Sequence, residues 1–317
     1  MANTLITTTQ ESSTSPRFGI WSHTVVKMGL EYPFLLRAVL SVSALRLAQD
    51  ESSHEWFLES AVHMEAGLTA FRQLIATGDP NSDEKLQSAL FAFSSLLVVQ
   101  NFGLAVVEQP KDSIEEFVKC IRLVRGVGAV LRNAWEVVQK AELAPIIFGA
   151  TFVEKPEHGP ENQFLASLKT MMSTSELPEE DATALIQALE HLQAIAAEHF
   201  LLRSGVGTSQ ATSVGVLLSW PGRVPERALE LMDERNPCAL CMIAYMASLL
   251  VSAGSHWWIE GWDKLLHDAV VPFLPSALAA DLVHAMAQNR LDTANNDAVR
   301  MTTGVVVQPG ADRSLGG

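Results

Sequence analysis

Two short patterns in this sequence have the spacing of metal-binding or redox motifs. Cys238 and Cys241 form a CxxC pair, and Glu55, Glu59 and His63 are spaced by four residues, which places them on one face of a helix. Zinc needs two donors beyond the cysteines, and no second pair accompanies them. We therefore predict core packing for the cysteines and a solvated surface for the acidic and histidine face, with a metal site as the alternative in both places.

Three neighbouring tryptophans form the most distinctive aromatic cluster. On the helix predicted for residues 256–270, Trp258 and Trp262 share a face, whereas Trp257 points elsewhere. At least one indole is therefore expected to be buried, and one could line a cavity. We favour packing in the core, with ligand contact as the alternative. Under that alternative, the ligand-binding residues are Trp257, Trp258, Trp262, Tyr245, Met246 and Phe102.

The usual sequence signals of familiar enzymes are missing. Gly126 and Gly128 do not follow a predicted strand and do not complete a GxGxxG fingerprint. A P-loop, a GxSxG elbow, an HExxH motif and a close pair of aspartates are also absent from the sequence. Most common catalytic classes therefore have no support from motifs.

The composition is rich in apolar residues and poor in charge. Hydrophobic residues make up 48% and charged residues 18%, against about 45–50% and about 25% in typical proteins. A ligand cavity, a partner surface or a large core could account for this excess. The net charge is −14, from 22 basic and 36 acidic side chains. Because that field repels a polyphosphate backbone, we expect no direct binding to nucleic acid.

Three cysteines are too few for a disulfide scaffold, and we find no secretory leader at the start of the sequence. We therefore expect a reducing, intracellular compartment, either the nucleus or the cytoplasm. The longest apolar stretches, such as residues 244–251, are much shorter than the roughly 20 residues of a membrane span. The sequence predicts a soluble protein without a membrane span.

Apolar residues recur at intervals of three and four, which predicts an all-α protein. A first stripe follows Pro33, and a second helix runs from about 53 to 75. A third begins at Ser82 or Asp83 and is apolar around most of its circumference to Phe102, so we expect it to be central. Later helices are predicted at 113–132, 162–172, 179–203, 225–233, 237–253, 256–270 and 276–289.

The ends of the chain differ from its middle. Residues 1–16 and 291–317 are polar and contain little that could pack, which predicts a disordered arm and a disordered tail. Residues 17–290 between them are predicted to form one globular multi-helix domain. We find no internal repeat of 30 to 50 residues, so a solenoid is disfavoured.

Several segments in order along the chain suggest a family. They are residues 31–48, 89–97, 123–135 and 220–240, followed by His256-Trp257-Trp258-Ile259-Glu260-Gly261-Trp262. Together they resemble the C-terminal regulatory domain of fungal binuclear zinc-cluster transcription factors, in particular the group similar to sterol uptake control proteins. The family carries its DNA-binding cysteines before this domain, whereas here no cysteine precedes Cys120. We therefore expect the zinc cluster, and DNA binding with it, to be missing.

The family also tends to have histidine and then tyrosine in the helix before the tryptophan motif, where this chain has Tyr245 and Met246. The resemblance implies a transcription-factor-like regulator that senses a hydrophobic small molecule, such as a sterol or another isoprenoid. It would act in the control of fungal lipid or secondary-metabolite pathways through a partner, as a homodimer or as a heterodimer with a related regulator. A separate possibility is a decoy that forms a heterodimer with a full-length relative and inactivates it. No cofactor is expected for either hypothesis.

The rival hypothesis is a secondary-metabolite enzyme on the same helical scaffold, such as an atypical terpene cyclase acting on a prenyl diphosphate. Mg²⁺ and basic side chains would then neutralise the leaving diphosphate. The candidate metal-binding residues are Asp233, Glu234, Asn296 and Asp297. The candidate phosphate-binding residues are Arg235, Lys264 and Arg290.

Overall fold

The structure is a computed structural model that describes residues 20–77, 83–138, 140, 143, 162–174, 176–203, 213–253 and 256–302, with the backbone alone after Leu291. Every regular element in these ranges is helical, which confirms the all-α prediction. The α-helices are α1 (Val26–Glu31), α2 (Pro33–Glu51), α3 (His54–Thr77), α4 (Glu84–Glu108), α5 (Ser113–Val138), α6 (Gln163–Thr174), α7 (Glu179–Arg203), α8 (Ser213–Leu217), α9 (Glu226–Asp233), α10 (Pro237–Ser252), α11 (Trp262–Val270) and α12 (Ser276–Thr302). A π-helical turn at Ile20–Val25 precedes α1, and 3-10 turns occur at Trp220–Arg223 and Val271–Phe273.

Side chains at the helix starts explain where the two most apolar helices begin. The carboxylate of Asp83 accepts a hydrogen bond from the backbone N–H of Lys85 at 2.9 Å, which confirms Asp83 as the N-cap of α4. The amide oxygen of Asn236 accepts the N–H of Cys238 at 3.0 Å at the start of α10. Pro237 occupies the first helical position there, where its fixed φ suits the helix.

Helices α4 and α10 are buried around most of their circumference and form the centre of the molecule. Helix α4 lies between α2 and α5, while α10 packs against α11, α12, α7 and α9. Helix α3 packs along α2 as an antiparallel hairpin. The buried apolar side chains form one continuous cluster from Ile20 to Met286. The prediction that the third helix is central is therefore confirmed.

Helix α4 has the length and the hydropathy of a membrane-spanning helix. Its side chains are nevertheless mostly buried against other helices of the protein, as expected for a core helix. The next candidate, α9 followed by α10, bends by 98° at the junction. The described ranges therefore contain no clear membrane span.

Several predicted helix bounds differ from the structure. The helix predicted for 256–270 begins only at Trp262, and α5 continues to Val138. The backbone of α12 continues to Thr302, past the predicted end at 289 and into the region predicted as a tail. The predicted arm at 1–16 and the rest of the tail, 303–317, lie outside the described residues.

Candidate functional site

A tight turn carries the first two tryptophans of the cluster. The backbone N–H groups of Ile259 and Glu260 both donate to the carbonyl of His256, at 3.0 and 3.1 Å. Gly261 then adopts a left-handed conformation with φ of 89°, which glycine tolerates because it has no Cβ. Since Gly261 separates this turn from α11, the prediction that Trp258 and Trp262 share one helix face is wrong.

Phe102 in α4 nevertheless brings both of these tryptophans together. Its ring centroid lies 5.7 Å from that of Trp258 and 5.8 Å from that of Trp262, in edge-to-face arrangements. Phe117 of α5 approaches Trp262 at 5.1 Å. The indole N–H of the fully buried Trp262 donates to the carbonyl oxygen of Phe102 at 3.1 Å. Trp262 therefore ties α11 to α4 and α5.

Trp257 is clamped between α2 and α4. Its ring packs so closely on Gly103 that a Cβ built there would lie 2.8 Å from Cζ3 of the indole. From α2, the guanidinium carbon of Arg46 lies 5.6 Å from the centroid of the indole, a cation–π distance. The turn is therefore attached to two helices that are distant from it in sequence.

Two hydrogen-bond donors at this site have no acceptor within the described part of the chain. The side chain of Trp258 is buried, with 3% of the residue exposed, and its indole N–H is unpaired. The Nε–H of Arg46 is also buried and unpaired, although its terminal nitrogens bind Gln49 and Asp50. A buried donor without a partner costs about 1–3 kcal/mol. An acceptor oxygen supplied from outside the chain would remove that cost.

Tyr245 and Met246 are both buried in α10. The hydroxyl of Tyr245 accepts a hydrogen bond from the amide of Asn162 at 2.7 Å, and its ring centroid lies 5.4 Å from that of Phe164 in α6. Tyr245 therefore contributes to the contact between α10 and α6. Of the six residues named for a ligand, Trp258 and Trp262 both contact Phe102.

The carboxylates named for Mg²⁺ are engaged by arginines. Asp233 accepts from Arg122 at 2.5 Å, and Glu234 from Arg227 at 2.7 Å. Asn296 and Asp297 lie on α12, but their side chains are outside the described residues. Within the described ranges, no group of three or more histidine, cysteine or carboxylate side chains is arranged to hold a metal ion.

Two of the three residues named for phosphate are held in ion pairs with carboxylates of the chain. Arg235 pairs with Asp112, which precedes α5. Arg290 donates from Nε to the buried carboxylate of Asp263 at 2.8 Å, and Lys264, the residue after Asp263, is exposed.

The two metal-like sequence patterns are structural features of the protein. Cys238 and Cys241 are buried in α10, and burial raises the pKa of the Cys238 thiol to about 11 and the pKa of Cys241 further. His63 of α3 accepts a hydrogen bond at Nδ1 from the guanidinium of Arg37 in α2, at 2.9 Å. The carboxylate of Glu59, also in α3, lies 4.0 Å from Nε2 of His63. Core packing of the cysteines is confirmed. Glu55 and Glu59 are exposed as predicted, whereas the side chain of His63 is only 20% exposed and is bonded to Arg37.

Three participants in the tryptophan site were missed by the sequence analysis: Arg46, Gly103 and Phe117. A glycine within an otherwise apolar helix can mark a close approach, so Gly103 carried a usable signal. Arg46 and Phe117 had none, because an arginine on an amphipathic helix and a phenylalanine in a core helix are both ordinary.

Comparison with known proteins identifies a class: the chain has weak sequence homology to fungal Zn(2)-C6 transcription factors. One relative, a Zn(2)-C6 fungal-type transcription factor of Gibberella zeae, is 25% identical over 258 residues, which are 76% of this chain and 50% of that protein. Sterol uptake control protein 2 of Saccharomyces cerevisiae is 25% identical over 129 residues, 40% of this chain and 14% of that protein. The chain thus spans half or less of the length of these relatives. No family model and no solved structure matches.

Proposed function

We propose that this chain is a transcription-factor-like regulator that binds a hydrophobic small molecule at the tryptophan turn and acts through a protein partner. The homology to fungal transcription factors supports the regulatory role. A net charge of −14 opposes contact between these 317 residues and DNA. This charge favours action through a partner rather than through DNA contacts of these residues. A role in transcription favours the nucleus as its location.

The observation that carries ligand binding is the buried, unpaired indole N–H of Trp258. Its surroundings are aromatic: the ring centroid of Phe102 lies 5.7 Å and that of His256 lies 5.8 Å from the indole, and Trp257 precedes it in the turn. A ligand that fits has an apolar body and one acceptor oxygen placed to receive this N–H. The unpaired Nε–H of Arg46, beside Trp257, offers a second donor.

Sterols and isoprenoid alcohols or ketones have this chemistry, since each combines a hydrocarbon body with a single oxygen. One of the similar proteins is named for the control of sterol uptake, which favours a sterol among these candidates. Binding would extend the aromatic contacts of Phe102 and Trp258 and would supply an acceptor to a donor that has none among the described residues.

Ligand binding is tested by titrating the purified protein with ergosterol, farnesol and the hydrocarbon squalene while following tryptophan fluorescence. We expect saturable quenching by an oxygen-bearing lipid and a roughly tenfold weaker affinity for Trp258→Phe, because losing a hydrogen bond to a buried donor costs about 1–3 kcal/mol. Trp56→Phe is the matched control, since the indole of Trp56 is exposed and donates to Glu51. Equal binding of squalene, or equal loss in both variants, would refute the hydrogen-bond assignment.

Regulation is tested separately by fusing the chain to a heterologous DNA-binding domain and measuring a reporter transcript in a fungal host. We expect reporter output to change with the lipid that quenches fluorescence, and this response to be lost in Trp258→Phe. A parallel incubation with Mg²⁺ and farnesyl diphosphate tests for catalysis. Formation of a product from farnesyl diphosphate would overturn the regulatory assignment. It would also be overturned if reporter transcript changed neither on expression of the fusion nor on addition of the lipid.

A further inference from the structure

We propose that the outward face of α3, centred on Leu58 and Val62, docks a basic amphipathic helix of the protein partner. This inference rests on the proposed function, because action in trans requires a partner. Leu58 is 51% exposed and Val62 is 60% exposed. They are four residues apart and therefore lie beside each other on one helix face.

The described helices leave these two side chains uncovered. Helix α3 uses its opposite face for packing, where Ser60, Met64 and Gly67 are buried. Gly67 lies against the carbonyl of Phe34 in α2 and the ring of Phe93 in α4, so the inward face of α3 is fixed. Leu58 and Val62 then point away from α2 and α4.

The position of α3 on α2 is fixed by a buried hydrogen bond, because the hydroxyl of Ser41 donates to the carbonyl of Ser60 at 2.8 Å. Ser60 lies between Leu58 and Val62 in sequence, so this bond holds the inward side of the same stretch of α3. Single exposed leucines are ordinary on protein surfaces, but Leu58 and Val62 lie next to each other and form a short apolar stripe.

The charges beside the apolar stripe favour a positively charged partner. Helix α3 carries Glu55, Glu59 and Glu65 against a single arginine, Arg72, and all four side chains are exposed. Within the described residues, Glu55 and Glu65 take part in no ion pair. Burying these carboxylates against a partner is favourable only if the partner supplies positively charged side chains. Such charges also accelerate association of the partner with this surface.

The same charges argue against other occupants. A second copy docked through this face by a two-fold axis would place one set of carboxylates near the identical set. An anionic membrane or a nucleic acid would be repelled for the same reason. A helix with leucine-like residues at positions i, i+4 and i+7, flanked by lysine or arginine, satisfies both the apolar stripe and the acidic rim.

The test uses fluorescence anisotropy with a labelled 18-residue helical peptide of leucine, alanine and lysine, and with the same peptide carrying glutamate in place of lysine. We expect the lysine peptide to bind the full chain saturably, with affinity that falls as salt rises, and the glutamate peptide not to bind. The double variant Leu58→Ser/Val62→Ser should weaken binding at least tenfold. Glu55→Gln/Glu65→Gln should reduce both the affinity and its salt dependence.

The matched control is Val283→Ser/Leu291→Ser on α12, where the two residues are 45% and 58% exposed. It removes the same kind of apolar surface elsewhere and should leave the peptide affinity unchanged. Because all four residues are exposed, circular dichroism should show every variant folded like the wild type. Equal loss in both double variants would show non-specific adsorption of a cationic peptide and would overturn the proposal.

Two further outcomes are decisive. If analytical ultracentrifugation shows a wild-type dimer that Leu58→Ser/Val62→Ser dissociates, the occupant is a second copy and the proposed partner is wrong. Lipid quenching should be the same in the wild type and in this double variant, since Leu58 and Val62 are not part of the tryptophan turn. Failure of peptide binding with intact lipid quenching would therefore reject the docking surface and leave the proposed function standing.

Discussion

Gly103→Ala is the substitution whose effect the structure defines most sharply. In the middle of α4, replacing glycine with alanine would ordinarily stabilise the helix by about 1 kcal/mol. Here the new Cβ would lie 2.8 Å from Cζ3 of Trp257 and 3.2 Å from Cδ2 of Leu45. Both neighbours are buried, and overpacking of this kind costs about 1–3 kcal/mol. The sum predicts a protein that is less stable than the wild type by about 0–2 kcal/mol.

Gly126→Ala supplies the matched control, because a Cβ at Gly126 in the middle of α5 would meet nothing within 4 Å. It gains the same helix propensity without the clash, so the two variants should differ by about 1–3 kcal/mol in their free energy of unfolding. Urea unfolding followed by circular dichroism and by tryptophan fluorescence measures that difference. If Gly103→Ala proves as stable as Gly126→Ala, the close packing of Trp257 on α4 is wrong.

Three other substitutions or conditions test separate parts of the structure. Trp262→Phe should lower the thermal midpoint, because it removes a buried indole N–H that donates to the carbonyl of Phe102. Trp258→Phe removes a donor that has no acceptor among the described residues, so it should lower the midpoint less. Equal decreases in the two variants would contradict both assignments. The hydrogen bond from Arg227 lowers the pKa of Asp181 below the carboxyl's unfolded value of about 3.9. The pair therefore stabilises the native protein above a pH of about 3.9, and this stability is lost as the pH falls through the lower native pKa. Acid unfolding of Asp181→Asn should therefore depend less steeply on pH below about 4 than that of the wild type, and identical profiles would argue against the pair. Burial raises the pKa of the Cys238 thiol to about 11, so native protein should react slowly with a thiol reagent at pH 8 and quickly in urea; fast reaction of the native protein would show that α10 is not buried.

Local pattern was sufficient to predict most helices but not every helix end. The second helix was expected at 53–75 and occupies His54–Thr77. Residue type narrowed the N-cap of α4 to Ser82 or Asp83, and the hydrogen bond to Lys85 assigns it to Asp83. The end of α12 depends on tertiary contacts, because Asn289 donates to Ser248 at 2.8 Å and Arg290 binds Asp263. No short window of sequence contains those partners, so the helix was predicted to end too early.

The tryptophan site shows a different limit. Its tryptophans and Phe102 could be named from residue type, but their arrangement could not be. The bond from Trp262 to Phe102 joins residues separated by 160 positions, and the turn before α11 depends on the left-handed φ of Gly261. Helical periodicity contains no information on either feature, because it describes neighbours within one element.

Helix α2 connects the two surfaces proposed for this protein. Its Arg46 lies over Trp257 at the tryptophan turn, and its Ser41 donates to the carbonyl of Ser60 in α3. The amide of Gln100 in α4 donates to the hydroxyl of Ser60 at 2.8 Å, so a buried polar network joins α2, α3 and α4. Buried networks of this kind fix relative positions, because separating them leaves polar groups unpaired. If a ligand that displaces Trp257 shifts α2, this network couples the shift to α3, the helix that carries Leu58 and Val62.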